Sequence, residues 1–283
     1  MSNAVALQVE NMNLADAMGF STQGGAATPT LARLQLVHGA ITKEVDDEEK
    51  ITVPVGAFKF ISGDDVVYSK GISMRLFAER QQWQRWDADQ GTMQKSLMSN
   101  NLNADLKDTL GTFNLGRPSG YIKDFQALPE AQKEVIRSVN RVKIYMGEIK
   151  LDKAINEDGE TLEGYSDWTP FVFDVKNRDT MKSIDAVVGK IMGKRISPIE
   201  YTISLTGKRN KLPSGGSFAT AEATLGERTG FTESDQETLN DFLDYVERSN
   251  DYVRSKWDES NVESISSEDA AIVADFVEVQ DFE

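Results

Sequence analysis

From residue 51 onward the chain keeps alternating apolar and polar residues with a period of two, the pattern of a half-covered β-strand rather than of an amphipathic helix. Ile51, Val53, Val55 and Ala57 alternate, Phe58 and Phe60 follow, Ser62-Gly63-Asp64-Asp65 is a turn, and Val66-Val67-Tyr68 resumes the pattern. Residues 51–70 therefore predict a hairpin. Ile72, Met74, Leu76 and Ala78 alternate with Ser73, Arg75, Phe77 and Glu79, which predicts a further strand. Val142, Ile144 and Met146 alternate with Arg141, Lys143 and Tyr145, giving one apolar face and one basic, aromatic face. Phe171 to Val175, Ile199 to Leu205 and Phe218 to Leu225 complete the set. Met181, Ile184, Val187, Val188 and Ile191 instead recur at helical spacing, and Pro129 opens a short helix through Arg137.

The expected fold class is mainly β with helices (α+β). A helix between the third and fourth strands is the order of an OB-fold, a small five-stranded barrel. The expected organisation is a flexible segment over 1–30, an OB-fold-like domain over 31–230 with an insertion at about 87–140, an amphipathic helix over 231–257 and a disordered acidic tail over 258–283. Within the domain, Leu31 to Ala40 reads as an apolar segment docked on the core. Lys43 to Lys50, with five carboxylates, reads as an acidic linker, and Thr206 to Gly216 as a basic, glycine-containing loop. Thr232 with Asp235 is a capping pattern, and Leu239, Phe242, Leu243, Val246, Val253 and Trp257 mark the helix that follows.

Two counts exclude whole chemistries. The 283 residues include no cysteine, so disulfides, thiolate metal sites and cysteine nucleophiles are ruled out. The one histidine, His38, lies among apolar residues and reads as structural, which removes multi-histidine metal sites. No resident metal or other cofactor is expected. No positive leader precedes Arg33 and no apolar run of about 18 residues occurs, so the expectation is a cytoplasmic protein with no membrane partner.

The formal net charge of −15 is unevenly distributed. Residues 231–283 hold 16 acidic and 3 basic residues, whereas residues 51–230 hold 23 acidic and 25 basic. A near-neutral body thus carries an acidic C-terminal arm. Such an arm mimics a nucleic-acid backbone and competes for a basic groove. Asp275, Phe276, Asp281, Phe282 and Glu283 form an acidic, aromatic-ended peptide suited to a pocket with a basic rim.

Single-strand binders combine cations that follow phosphates with flat side chains on which bases stack. Candidates for that work are Arg75, Phe77, Trp83, Arg85, Trp86, Arg141, Lys143, Tyr145, Lys194, Arg195, Lys208, Arg209 and Lys211. No phosphate-binding glycine loop or dinucleotide fingerprint is present. One enzymatic alternative is a Mg²⁺-dependent nuclease, with Glu148 and Asp124 as metal ligands and Lys150 positioning water. Another alternative is a virion or assembly protein.

Leu31-Ala-Arg-Leu-Gln-Leu-Val-His38, Val53-Pro-Val-Gly-Ala-Phe58, Met74 to Trp86, Pro198 to Leu205 and Gly216-Ser-Phe218 resemble successive segments of a bacteriophage single-stranded DNA-binding protein family. The resemblance implies an OB-fold, sequence-nonspecific binding of single-stranded DNA, and a non-catalytic role in phage replication or recombination in the infected cell's cytoplasm. It also implies that the tail recruits phage replication proteins such as a polymerase or helicase, and it is compatible with a homo-oligomer. Some members carry central cysteine pairs resembling a zinc site; this chain has none there.

Overall fold

The alternating segments pair into one large sheet. The structure, a computed structural model, describes residues 31–45, 47–212 and 215–278, except for the side chains of Val45 and of residues 262–278. Residues 1–30 and 279–283, and with them the expected roles of Asp281, Phe282 and Glu283, lie outside the described residues.

Eleven strands are described: β1 (Ala32–Leu36), β2 (Ile41–Val45), β3 (Glu48–Val53), β4 (Phe58–Ser62), β5 (Asp65–Ser69), β6 (Gly71–Asp87), β7 (Thr92–Lys95), β8 (Asn140–Leu151), β9 (Thr169–Val175), β10 (Tyr201–Lys211) and β11 (Ser217–Arg228). The helices are α1 (Glu130–Ser138), α2 (Arg178–Met192) and α3 (Glu233–Glu278), with single 3₁₀ turns at Asn114–Gly116 and Pro198–Glu200. The main sheet runs β11-β10-β6-β8-β9-β1-β4-β5, with β7 added to the far end of β6. All pairs are antiparallel except β1 with β9.

The fold is therefore α+β and dominated by strands. The ladder does not close into the expected five-stranded barrel, because β11 and β5 remain its two ends. Three of the local expectations also change. The acidic segment at 43–50 forms the separate β2–β3 hairpin rather than a linker, with Lys43 reaching Asp158 at 2.6 Å. Residues 31–40 supply β1, which is central to the sheet rather than laid on it. Most of the presumed basic loop is ladder, with β10 and β11 paired from Tyr201↔Arg228 to Lys211↔Ser217.

Both faces of the middle strands are covered. On one face, Phe58, Phe60, Ile72, Met74, Tyr145, Ile149, Phe171 and Phe173 meet Met181, Ile184, Val187 and Ile191 of α2 in the main core. On the other, Val142, Ile144, Met146 and Val172 are buried, and α3 lies against β6 and β8 with Phe242, Val246 and Val253 buried. Burying one such side chain is worth about 1.5–3 kcal/mol, so the opposed face alone suffices to hold a long helix. That helix runs to Glu278, beyond the end near residue 257 that its apolar spacing predicts.

The outer edge of β11 is finished by side chains. Thr180 Oγ1 accepts from the Ala221 N–H at 3.0 Å, Ser183 Oγ from the Ala223 N–H at 2.8 Å, and His38 Nδ1 from the Ala219 N–H at 3.3 Å. A free ladder edge would otherwise be a template for pairing with another chain. His38 is thus structural, as the sequence suggests. The Thr180→Val variant keeps the shape but strands the Ala221 amide. It should lose about 1–3 kcal/mol in a denaturant titration.

Glycine permits a close approach between β10 and the β3–β4 connection. Gly207 of β10 lies so close to Gly56 that an added Cβ would overlap the Gly56 carbonyl oxygen. Gly56 itself has φ +91°, a left-handed conformation that favours glycine.

Candidate nucleic-acid interface

Arg75 leads from the sheet to the C-terminal helix. The residue is 7% exposed, and its guanidinium grips Asp235 in a fork, Nη1 to Oδ1 at 2.7 Å and Nη2 to Oδ2 at 2.8 Å. Glu148 adds a contact at 3.3 Å, and the carbonyls of Ile199 and Gly230 accept from Nε and Nη2. Asp235 also accepts from the Thr232 N–H, while Thr232 Oγ1 accepts from the Asp235 N–H, so the capping pattern forms. The hydrogen-bonded Arg75 holds the Asp235 carboxyl below the usual aspartate value. Burial pushes Glu148 above its own usual value despite the arginine.

Arg75 therefore docks a helix and is not available to a phosphate. Phe77 beside it is half-buried, edge-on to Phe242 with ring centroids 5.9 Å apart. The same arrangement bears on the nuclease alternative. Glu148 is turned to Arg75, Lys150 lies over the Trp168 ring at 4.8 Å, and Asp124 Oδ1 accepts from the Gln126 and Ala127 amides. No group of three or more acidic or histidine side chains suited to a metal occurs among the described residues.

Along β6 and β8 one sheet face changes character in register. Glu79↔Tyr145 and Gln81↔Lys143 come first, then Trp83↔Arg141. Tyr145 is wholly buried and its hydroxyl donates to Asp185 at 3.0 Å; burial holds its phenol well above the usual tyrosine value. Lys143, 6% exposed, bridges Asp185 at 2.6 Å and Glu79 at 3.0 Å. Both were expected at a binding face, and both are interior, because α2 brings Asp185 over that part of the strand pair.

Two residues further on, the same face opens into a cleft of about 440 Å³. Trp83 and Arg141 line it from the sheet. Asn101, Leu102, Asn103, Arg117 and Gly120 line it from the segment between β7 and α1. That segment is irregular but fixed. The buried Asp108 carboxylate accepts from the amides of Leu110, Thr112 and Leu115, and Leu102, Leu106 and Leu115 pack with Trp83 and Val139. Arg117 lays its guanidinium over the Trp83 ring, 4.6 Å from the centroid. Its Nη1 donates to the Ile136 carbonyl at 3.4 Å, and burial lowers it from the usual arginine value. Arg141 is exposed. Among the described residues, neither arginine has a carboxylate partner and none of the residues lining the cleft is acidic.

The other candidates sit elsewhere in the fold. Arg85 is half-buried, donating from Nε to Gln94 at 2.8 Å, and Trp86 is 58% exposed at the end of β6. Lys194 lies over the Tyr201 ring at 5.8 Å and Arg195 follows it at φ +59°. Lys208 pairs with Glu222 across the β10–β11 ladder, while Arg209 and Lys211 are exposed on the same hairpin. Asp275 and Phe276 fall on the backbone of α3.

The sequence reading overlooked Arg117, Asn101 and Asn103. Arg117 is the one basic residue between Lys107 and Lys123, a signal that carries weight only once its contact with Trp83 is known. No helix among the described residues is long and apolar enough to cross a membrane. No family model matches this chain, and no curated protein or solved structure is significantly similar to it.

Proposed function

We propose that this protein binds single-stranded DNA without sequence preference and without catalysis, in phage replication or recombination. The observation that carries the proposal is the cleft: in a chain of net charge −15, Arg117 and Arg141 converge on it with no carboxylate among the described residues to answer them. A desolvated cation is ordinarily balanced by an acid, as Arg75 is by Asp235. Arg117, half-buried and unanswered, together with the exposed Arg141 selects an anion, and the tryptophan beside them selects a flat partner.

The exposed Trp86 stands at the same end of β6 as the cleft, whereas Arg209 and Lys211 continue β10 past Gly71 at the opposite end of that strand and stand apart from it. Arg75, Lys143 and Tyr145 take no part. The acidic C-terminal segment is assigned to recruiting replication enzymes.

The test is fluorescence anisotropy with labelled oligo-dT and with duplex DNA across a salt series. Tight, salt-sensitive binding to the single strand is expected. Arg141→Gln should weaken it about 3- to 10-fold and flatten the log–log salt slope by about 0.7, one phosphate contact on a single strand. Lys43→Gln, a residue already paired with Asp158, should leave both unchanged. No binding at any salt overturns the proposal and favours a virion or assembly role. Loss of label only with Mg²⁺ overturns it in favour of the nuclease.

A further inference from the structure

The contact between Arg117 and Trp83 is poorly satisfied as it stands. The Arg117 Nε–H and the Trp83 indole N–H are both buried without a hydrogen-bond partner among the described residues. Among the described residues, Arg117 has one hydrogen bond, at 3.4 Å, to hold its guanidinium in place, and its charge meets no acid. Compare Arg75, which is more deeply enclosed and has five hydrogen bonds and two carboxylates. Orphaned buried donors of this kind mark places where a structure is set up for something it does not yet hold. Arg117 and Trp83 both line the cleft, which is the route by which a group could displace the arginine.

We propose that the face of Trp83 beneath Arg117 is a nucleobase site, covered by the arginine in the free protein. A guanidinium and a base are both flat and both stack on an indole, so one can replace the other in the same slot. The displaced side chain swings toward the adjoining phosphate, where both its charge and its Nε–H find acceptors. The base must come from an unpaired strand, because a duplex keeps its faces stacked. The site thus supplies preference for single-stranded over duplex DNA from one side-chain exchange. This inference rests on the single-strand reading above.

The Trp83 contribution to emission is isolated as the difference between the full chain and its Trp83→Phe variant. Titration with oligo-dT is expected to quench it; an abasic oligomer of the same length and charge is expected to bind without quenching. Trp83→Leu should weaken oligo-dT about tenfold and the abasic oligomer less than twofold. In the free protein, Arg117→Ala should raise the acrylamide quenching of Trp83, since the cover is gone. If Trp83→Leu fails to fold, the comparison of oligo-dT with the abasic oligomer on the unaltered chain still decides. Oligo-dT binding that leaves Trp83 emission unchanged, or equal quenching by the abasic oligomer, overturns the base site while the single-strand reading stands. Absence of any oligo-dT binding overturns both.

Discussion

Replacing Asp235 with alanine should cost about 3–5 kcal/mol of stability, because it leaves the Arg75 guanidinium enclosed between sheet and helix with only the longer Glu148 contact. The variant also removes half of the reciprocal cap of α3, since the same carboxylate accepts from the Thr232 amide. A denaturant titration followed by tryptophan fluorescence measures the loss. The double variant Arg75→Met, Asp235→Leu should recover part of it, since an apolar pair of similar size avoids the unpaired charge. A pH series checks the electrostatic origin. Asp235 titrates below its ordinary value of 3.8 in the folded chain. Its contribution is therefore complete above that pH and disappears as the pH falls through the lowered folded value. Glu148, pushed upward by burial, works in the opposite sense: its ionisation opposes folding as the pH rises. The gap in stability between the natural chain and Asp235→Asn should accordingly narrow only below about pH 4. A gap that is constant across that range would show the pair to be a packing device rather than an ionic one.

Gly207→Ala should be nearly as damaging, at about 3 kcal/mol, the upper end of the range for overpacking. The added methyl meets the Gly56 carbonyl, which is backbone and cannot rotate away as a side chain would. Gly56 is in turn held by the hydrogen bond from its N–H to the Val37 carbonyl at 2.8 Å, next to the Val37 N–H bond to Ala57 at 2.8 Å. The expected result is a lower denaturant midpoint at unchanged slope, with faster amide exchange at Val37 and Gly56. If the exchange of those two amides is unaffected, the strain is being absorbed in the β10–β11 hairpin instead.

The strand content was plain in the sequence because period-two patterning reports directly on a half-covered ladder. β6, β8, β9, β10 and β11, and helix α2, all fall on segments whose alternation or spacing marks them. What alternation does not report is which face is covered, or by what. Arg141, Lys143 and Tyr145 look equivalent on paper, yet Asp185 of α2 claims the latter two and leaves the first to the cleft. Arg75 reads as an exposed cation because its partner Asp235 is 160 residues away. The β2–β3 hairpin was hidden by its five carboxylates, which resemble a linker until register pairs them. Arg117 was invisible for the same reason that the segment around it has no period: its shape is set by Asp108 accepting amides from a loop, and loops of that sort leave no repeat.

The two clamps on α3 have a bearing on how the chain comes together during synthesis. Arg75 waits for Asp235, and the Met98 backbone waits for Asn250, whose side chain accepts from its N–H at 2.7 Å and donates to its carbonyl at 3.2 Å. These partners lie 160 and 152 residues downstream. At about 5–20 residues per second, the ribosome delivers them some 8–30 s after the groups they complete. During that interval the apolar face carrying Val142, Ile144 and Met146 has no helix over it, so nascent chains are at their most adhesive in the stretch between making β8 and making α3. A co-expressed holdase, or slower translation across that window, should therefore alter the soluble yield of this protein more than any change to its final stability.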